Sequence, residues 1–281
     1  MVSIKFIWHD CFLIQTPHMA AVFDYWKESD DGEPRPVGEF PSFLGSIPSG
    51  LPLYVFVSHH HKDHFVRSVF SWEKLHPDIR FIISNDTRKA VRFMLREDGT
   101  YAGFRPTLSK VTVLSPGEEY SDEIMGVKAF PSTDIGNSYL LRLDSGMTLF
   151  HAGDLNAWIW KDESTEDEVA AATKAFSDIL EKIASEAPVI DVAMFPVDSR
   201  IGSEWWRGAA MFVRRIDVGR FIPMHFCLAD TLEERNKRFA DAVRFDLYAN
   251  RSRGEYISLQ KPGATLCIGE KSIHVWPFDA E

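Results

Sequence analysis

Leu53-Tyr54-Val55-Phe56-Val57-Ser58-His59-His60-His61-Lys62-Asp63-His64 is the stretch on which the reading of this chain turns. Its first five residues are an unbroken apolar run, the pattern of a strand buried on both faces. Four of the ten histidines follow directly, between positions 59 and 64. In α/β folds the loops that leave the carboxyl ends of strands are where chemistry is placed. In an extended or turning segment His59 and His61 project to one side and His60 to the other. Asp63 and His64 follow at a distance that lets the loop curl back. Imidazoles and one carboxylate form a borderline donor set, suited to Zn²⁺, Fe or Mn²⁺. His60 and Lys62 are expected to face neighbouring contacts or solvent.

The rest of the composition narrows the setting. With 281 residues, 45% hydrophobic and 13% aromatic, the chain can bury a sizeable core, which excludes global disorder. A net charge of -10 makes it a poor nonspecific binder of nucleic acid, because phosphates demand a basic surface. The three cysteines, Cys11, Cys227 and Cys267, are too few and too scattered for a disulfide framework or a cysteine zinc site. They point to a reducing compartment. The first ten residues lack the pattern of a signal peptide, and no apolar run reaches the ~18–20 residues of a membrane span. The expectation is a soluble, cytoplasmic protein with no membrane partner, and with homo-oligomerisation left open.

Short strands are expected at Ile4–Trp8, Cys11–Gln15 and Ala20–Phe23, before an irregular loop from about 27 to 50. A helix capped by Asp86 or Thr87 is expected to run through Ala90, Val91, Met94 and Leu95. Strands resume at Val111–Leu114, Val127–Phe130, Ser138–Leu143 and Met147–Phe150, the last two joined by the Asp144-Ser145-Gly146 turn. Ser164 or Thr165 caps a helix whose Phe176, Ile179, Leu180 and Ile183 form one apolar stripe. Val189–Phe195 reads as a buried strand. Gly202–Ile216 and Thr231–Val243 read as helices, and Arg220–Pro223, Tyr256–Leu259, Ala264–Ile268 and Ser272–Trp276 as strands. Mixed strands and helices without a linker imply a layered α+β or α/β class in one domain spanning 1–281.

The motif His-x-His-x-Asp-His at 59–64 resembles the hallmark of the metallo-β-lactamase superfamily. That resemblance implies a four-layer αββα sandwich of two pseudo-symmetric halves, about 1–145 and 146–281. It also implies further ligands in a fixed order. Asp154, in Phe150-His151-Ala152-Gly153-Asp154, is similar to the family's metal-bridging aspartate. His225, at the end of Arg220-Phe221-Ile222-Pro223-Met224-His225, is similar to the last histidine ligand. Asp24 matches the strand-end aspartate that precedes the hexapeptide. By pattern the nearest subgroup is the lactonase-like branch. One match departs from the family. Where a histidine is followed four residues later by serine, this chain has Asp134-Ile135-Gly136-Asn137-Ser138. Asp134 is then either a carboxylate ligand beside His59 and His61, or a turn-capping aspartate beside a weak first site. Asp63, His64, Asp154 and His225 make up the second site.

The resemblance implies one or two divalent ions, zinc first, with manganese or iron as alternatives. Such ions lower the pKa of bound water from 15.7 to about 7. The expected activity is hydrolysis by metal-bound hydroxide of a small-molecule ester, lactone, amide or phosphoester. Asp63 and Asp154 carry the catalytic roles. A phosphodiesterase or nuclease of the same superfamily is the first alternative, against which the net charge argues. A non-hydrolytic member, either an iron redox enzyme or a degenerate ligand-binding scaffold, is the other. His9, His151, Asn156, Trp158 and Arg200 are candidates for supporting the ligands or lining the substrate pocket. Trp160, Trp205 and Trp206 could join that pocket or pack in the core. His18, His76 and His274 are taken as surface or packing residues.

Overall fold

The computed structural model describes residues 1–29, 32–33, 35–36, 38–96, 103–244, 253–259, 261–269 and 273–276. The chain opens with β1 (Val2–Trp8), β2 (Cys11–Gln15), β3 (Ala20–Phe23), β4 (Leu53–Val57) and β5 (Ile79–Ser84). A short helix α1 (Asn85–Ala90) leads to β6 (Val111–Leu114). Then come β7 (Glu119–Ser121), β8 (Met125–Pro131), β9 (Asn137–Leu143), β10 (Thr148–His151) and the long helix α2 (Glu166–Glu186). β11 (Val189–Pro196), α3 (Arg207–Arg215), β12 (Asp217–Met224), α4 (Leu232–Arg244) and β13 (Glu255–Tyr256) follow. β14 (Thr265–Ile268) and β15 (Ile273–Trp276) close the order. No helix among the described residues is long and apolar enough to cross a membrane.

The chain forms two compact units, Met1–Ser115 with Lys261–Glu281, and Pro116–Gln260. They part earlier than the seam expected near residue 145. Each unit owns one mixed sheet, ordered β15-β14-β1-β2-β3-β4-β5-β6 in the first and β13-β12-β11-β10-β9-β8-β7 in the second. Helices pack on both sheets, α1 against β5 and β6, α2 against β8, and α3 and α4 against β12. This is the layered α/β class expected.

The two sheets repeat one pattern of pairing. From β14 through β1 and β2 to β3 the pairs are antiparallel, and from β3 to β6 they are parallel. From β7 through β8 and β9 to β10 the pairs are antiparallel, and from β10 to β13 they are parallel. Two antiparallel steps restore direction, so the β1–β2 turn opens at the edge where β3, β4 and β5 end. In the second unit the β8–β9 loop opens where β10, β11 and β12 end. These carboxyl-end edges carry the residues of interest.

Local chemistry explains the elements that matter. β4 is buried along its whole length. Thr165 caps α2, and Glu168 completes the capping box by accepting the Thr165 backbone N–H. Val169, Phe176, Leu180 and Ile183 are the buried stripe of that helix. Each such side chain contributes roughly 1.5–3 kcal/mol by leaving water.

Four expectations need correction. The helix expected through Leu95 is only six residues long and is capped by Ser84, whose hydroxyl accepts the Thr87 N–H. After Ala90 the chain tightens, with Met94 N–H bonded to the Val91 carbonyl. β5 and β7 were not anticipated, and the 27–50 loop contains a 3₁₀ turn at Ser42–Ser46. The helix expected from Gly202 starts only at Arg207, because Gly202 sits at φ +90°, outside helical space. β13 is shorter than expected, ending at Tyr256. The side chain of His274 lies outside those described.

Candidate metal centre

In the first unit a single carboxylate organises the hexapeptide. Asp24, one residue past β3, is buried and accepts the Ser58 N–H at 2.7 Å and the Ser58 hydroxyl at 2.5 Å. Its Oδ2 also lies 2.9 Å from His64 Nδ1. A carboxylate can only accept, so His64 carries a proton on Nδ1. In the neutral ring the lone pair is then on Nε2. Ser58 gives its proton to Asp24, so its oxygen accepts from His59 Nδ1 at 3.0 Å, which again places the His59 lone pair on Nε2. The loop does curl back, with His64 N–H bonded to the His61 carbonyl at 3.1 Å. The His59 ring centroid lies 4.6 Å from that of His61 and 4.0 Å from that of His64. His60 turns away, and its Nδ1 lies 2.7 Å from Asp86 at the start of α1. One donor atom from each of His9, Asp63 and His64 lies within 4.8 Å of the others.

The second unit builds the same device at its own strand ends. His225, directly after β12, has Nδ1 3.0 Å from Asp198 Oδ2, two residues past β11. Arg200 stands 3.2 Å from the same nitrogen. Two N–H groups do not bond each other, so Asp198 takes the ring proton and Arg200 holds Asp198, its Nε at 2.7 Å. Burial pushes the Asp198 carboxyl up, but the bonds and charges of His225 and Arg200 overcome it and hold the pKa at about 2. Asp154 Oδ1 lies 3.1 Å from His225 Nε2. The exposed Asp134 brings a carboxylate oxygen within 4.8 Å of one from Asp154. Thr133 ties these loops together, donating to the Asn156 carbonyl and accepting the Asn156 N–H at 3.1 Å.

The candidates around these ligands divide. His151 is buried and accepts the Gly153 N–H at 3.2 Å, which shapes the turn into Asp154. Trp158 donates its indole N–H to the Asp154 carbonyl at 2.8 Å and sets its ring edge-on to His225 at 5.3 Å. Asn156 is buried, its Oδ1 accepting the Ala157 N–H. Trp160 is 41% exposed and Trp205 and Trp206 are half-buried. His76 packs, with Nε2 3.1 Å from the Leu44 carbonyl. Among the described residues, the non-glycine positions with left-handed φ are His9, Asp24, Trp158 and His225, all singled out from sequence. Such backbone costs roughly 1–3 kcal/mol each and concentrates at functional sites.

The chain matches the family model of the beta-lactamase superfamily domain over residues 3–225, most of its length. It belongs to that superfamily. No curated protein sequence matches the chain. Solved structures with the same fold include a candidate metal-dependent hydrolase of Parabacteroides distasonis, 17% identical, covering 92% of each chain at a TM-score of 0.54. Igni18, a metallo hydrolase of Ignicoccus hospitalis, is 15% identical, with 94% and 97% covered and a TM-score of 0.53. CmlA, a diiron β-hydroxylase of Streptomyces venezuelae, is 12% identical over 91% of this chain at a TM-score of 0.60. This chain matches only 52% of the CmlA chain. At these identities the likeness is one of fold.

Membership makes this an enzyme of a metal-dependent superfamily, and its donors fit a divalent ion. They are neutral imidazoles with oriented lone pairs, together with carboxylates, the ligand types of Zn²⁺, Mn²⁺ and Fe. Sequence reading missed Ser58 and Asp198. Asp198 could have been found as an aspartate just beyond a buried strand with an arginine two residues on.

Proposed function

We propose that this superfamily enzyme hydrolyses a small-molecule ester, lactone, amide or phosphoester with the help of two divalent ions. By the ligand order of the family, with Asp134 at the histidine position, His59, His61 and Asp134 would hold one ion, and Asp63, His64, Asp154 and His225 would hold the other. The observation that carries this reading is the repeated carboxylate–imidazole pair, Asp24 on His64 and Asp198 on His225. Fixing Nδ1 in this way is how proteins prepare Nε2 for a metal.

When bound, the ions supply Lewis acidity and a water whose pKa falls from 15.7 to about 7. The protein's own groups do the remaining work. Asp63, with its side chain 20% exposed, would orient the attacking water. Asp24, Ser58 and Asp198 hold the imidazoles in one tautomer. The Trp158 ring walls off His225 from solvent, and Arg200 keeps part of its guanidinium exposed for an anionic substrate group. Zinc is the first choice of ion. A second reading, iron redox chemistry, is favoured by Asp134 at the histidine position, since each added carboxylate hardens the donor set.

Elemental analysis of protein purified with metals present, followed by assays on lactone, amide and phosphodiester panels, tests both readings. One to two zinc or manganese ions per chain with turnover supports hydrolysis. Bound iron without hydrolysis supports the second reading. Fewer than about 0.1 ion per chain overturns both, because the chemistry rests on metal-activated water or on iron itself.

A further inference from the structure

The two-residue turn between β1 and β2 holds His9 and Asp10, and both are 0% exposed. A hairpin turn is ordinarily wet, and an aspartate is almost never fully buried unless something compensates its charge. Asp10 Oδ2 lies 3.2 Å from His64 Nε2, the nitrogen that Asp24 prepares as a ligand. Two donors sharing one ion at bonds of about 2.0–2.2 Å stand about 3.0–3.5 Å apart for angles between square and tetrahedral. A lone pair and a carboxylate facing each other repel, and a cation held by both removes the conflict. The topology supplies a second, independent observation. By strand order the β1–β2 turn corresponds to the β8–β9 loop of the other unit. That loop carries Asp134, so each sheet places one aspartate on the hairpin that opens at its carboxyl-end edge.

We propose that Asp10 is a metal ligand, added to Asp63 and His64 on the ion those two residues hold. This rests on the metal-centre reading above. His9 Nε2 lies 3.6 Å from Asp10 Oδ2 and 3.8 Å from Asp63 Oδ2, beside both carboxylates. A further carboxylate on this ion makes the site harder and shifts its preference from Zn²⁺ toward Mn²⁺ or Fe²⁺. The metal-free alternative is a doubly protonated His64 between two aspartates, in which Asp10 is only a hydrogen-bond acceptor.

Titrating metal-stripped full-length protein with Mn²⁺ and Co²⁺ separates the two. Asp10→Asn, checked for folding by circular dichroism, is expected to bind the ion of this site more weakly than wild type, with lower occupancy at limiting metal. Its Co²⁺ absorption is expected to change intensity as the coordination number falls. Wild-type occupancy at limiting metal together with an unchanged Co²⁺ spectrum overturns the proposal. Should Asp10→Asn not fold, the wild-type protein crystallised with Mn²⁺ decides. An Asp10 oxygen within about 2.6 Å of an ion supports ligation, and any longer separation overturns it. Wild type that binds no ion sinks the metal-centre reading itself. Wild type that binds ions while Asp10→Asn behaves identically sinks this inference alone.

Discussion

The two units solve the same problem with different chemistry. In the first, Asp24 is satisfied by neutral donors, the Ser58 peptide and hydroxyl, and orients His64 from a neighbouring strand end. In the second, Asp198 is held by the Arg200 guanidinium and orients His225. One scaffold is built of dipoles alone, while the other adds an ion pair to the Arg200 peptide N–H that Asp198 Oδ1 accepts at 2.9 Å. A buried carboxylate can position an imidazole either way, provided its own charge is met. What differs is the consequence of damage. Loss of Asp24 strands a peptide N–H and a hydroxyl in the core, whereas loss of Asp198 strands the Arg200 peptide N–H and frees a guanidinium whose side chain is 29% exposed and can turn to water.

The sharpest way to break the comparison is to delete one imidazole from each unit. His64→Ala and His225→Ala are both expected to lose at least one ion per chain and to reduce turnover to background, measured by elemental analysis and assay. If His225→Ala kept the full wild-type metal content, His225 would not be a ligand, and the likeness of the two pairs would be only structural. The next effect separates the scaffolds. Asp24→Asn and Asp198→Asn should each weaken metal binding about 10–100-fold, as the loss of a ligand's orienting partner does. Asp24→Asn should also cost about 1–3 kcal/mol of stability in denaturant melts, more than Asp198→Asn. Equal losses would refute the distinction between dipolar and ionic scaffolds.

The same contrast explains what could be read in the sequence. The first unit's donors lie in six consecutive residues after a buried strand, so periodicity and residue type locate them together. β1 to β4 follow from alternating or continuous apolar runs, and α2 from its cap and stripe. The second unit's donors arrive singly at strand ends, and only the order of a known family points to Asp154 and His225. Asp198 acts across 27 residues of chain, a pairing no local pattern encodes. Asp10 hides behind a solvent-like turn position that the fold buries. β5 escaped although Ile79-Arg80-Phe81-Ile82-Ile83 is a nearly continuous apolar run, and the Ser84 cap divides strand from helix two residues earlier than Asp86 suggests.

The smallest effects test whether the second unit's loops are held from outside, as its dispersed donors require. A Cβ on Gly208, in α3, would stand 1.9 Å from Asn156 Oδ1, inside any contact distance. Gly208→Ala must therefore push the 155–158 loop, at about 1–3 kcal/mol, and should weaken metal binding because that loop follows Asp154. Thr165→Ala removes only the capping box of α2, for about 1 kcal/mol. It should lower the melting temperature by a few degrees and leave metal content unchanged, since no candidate ligand leans on that helix end. A Gly208→Ala variant that melts lower but binds metal as well as Thr165→Ala would show that the loop after Asp154 can shift without disturbing the ligands. The second unit's donors would then be fixed by strand ends alone, as the first unit's are by their hexapeptide.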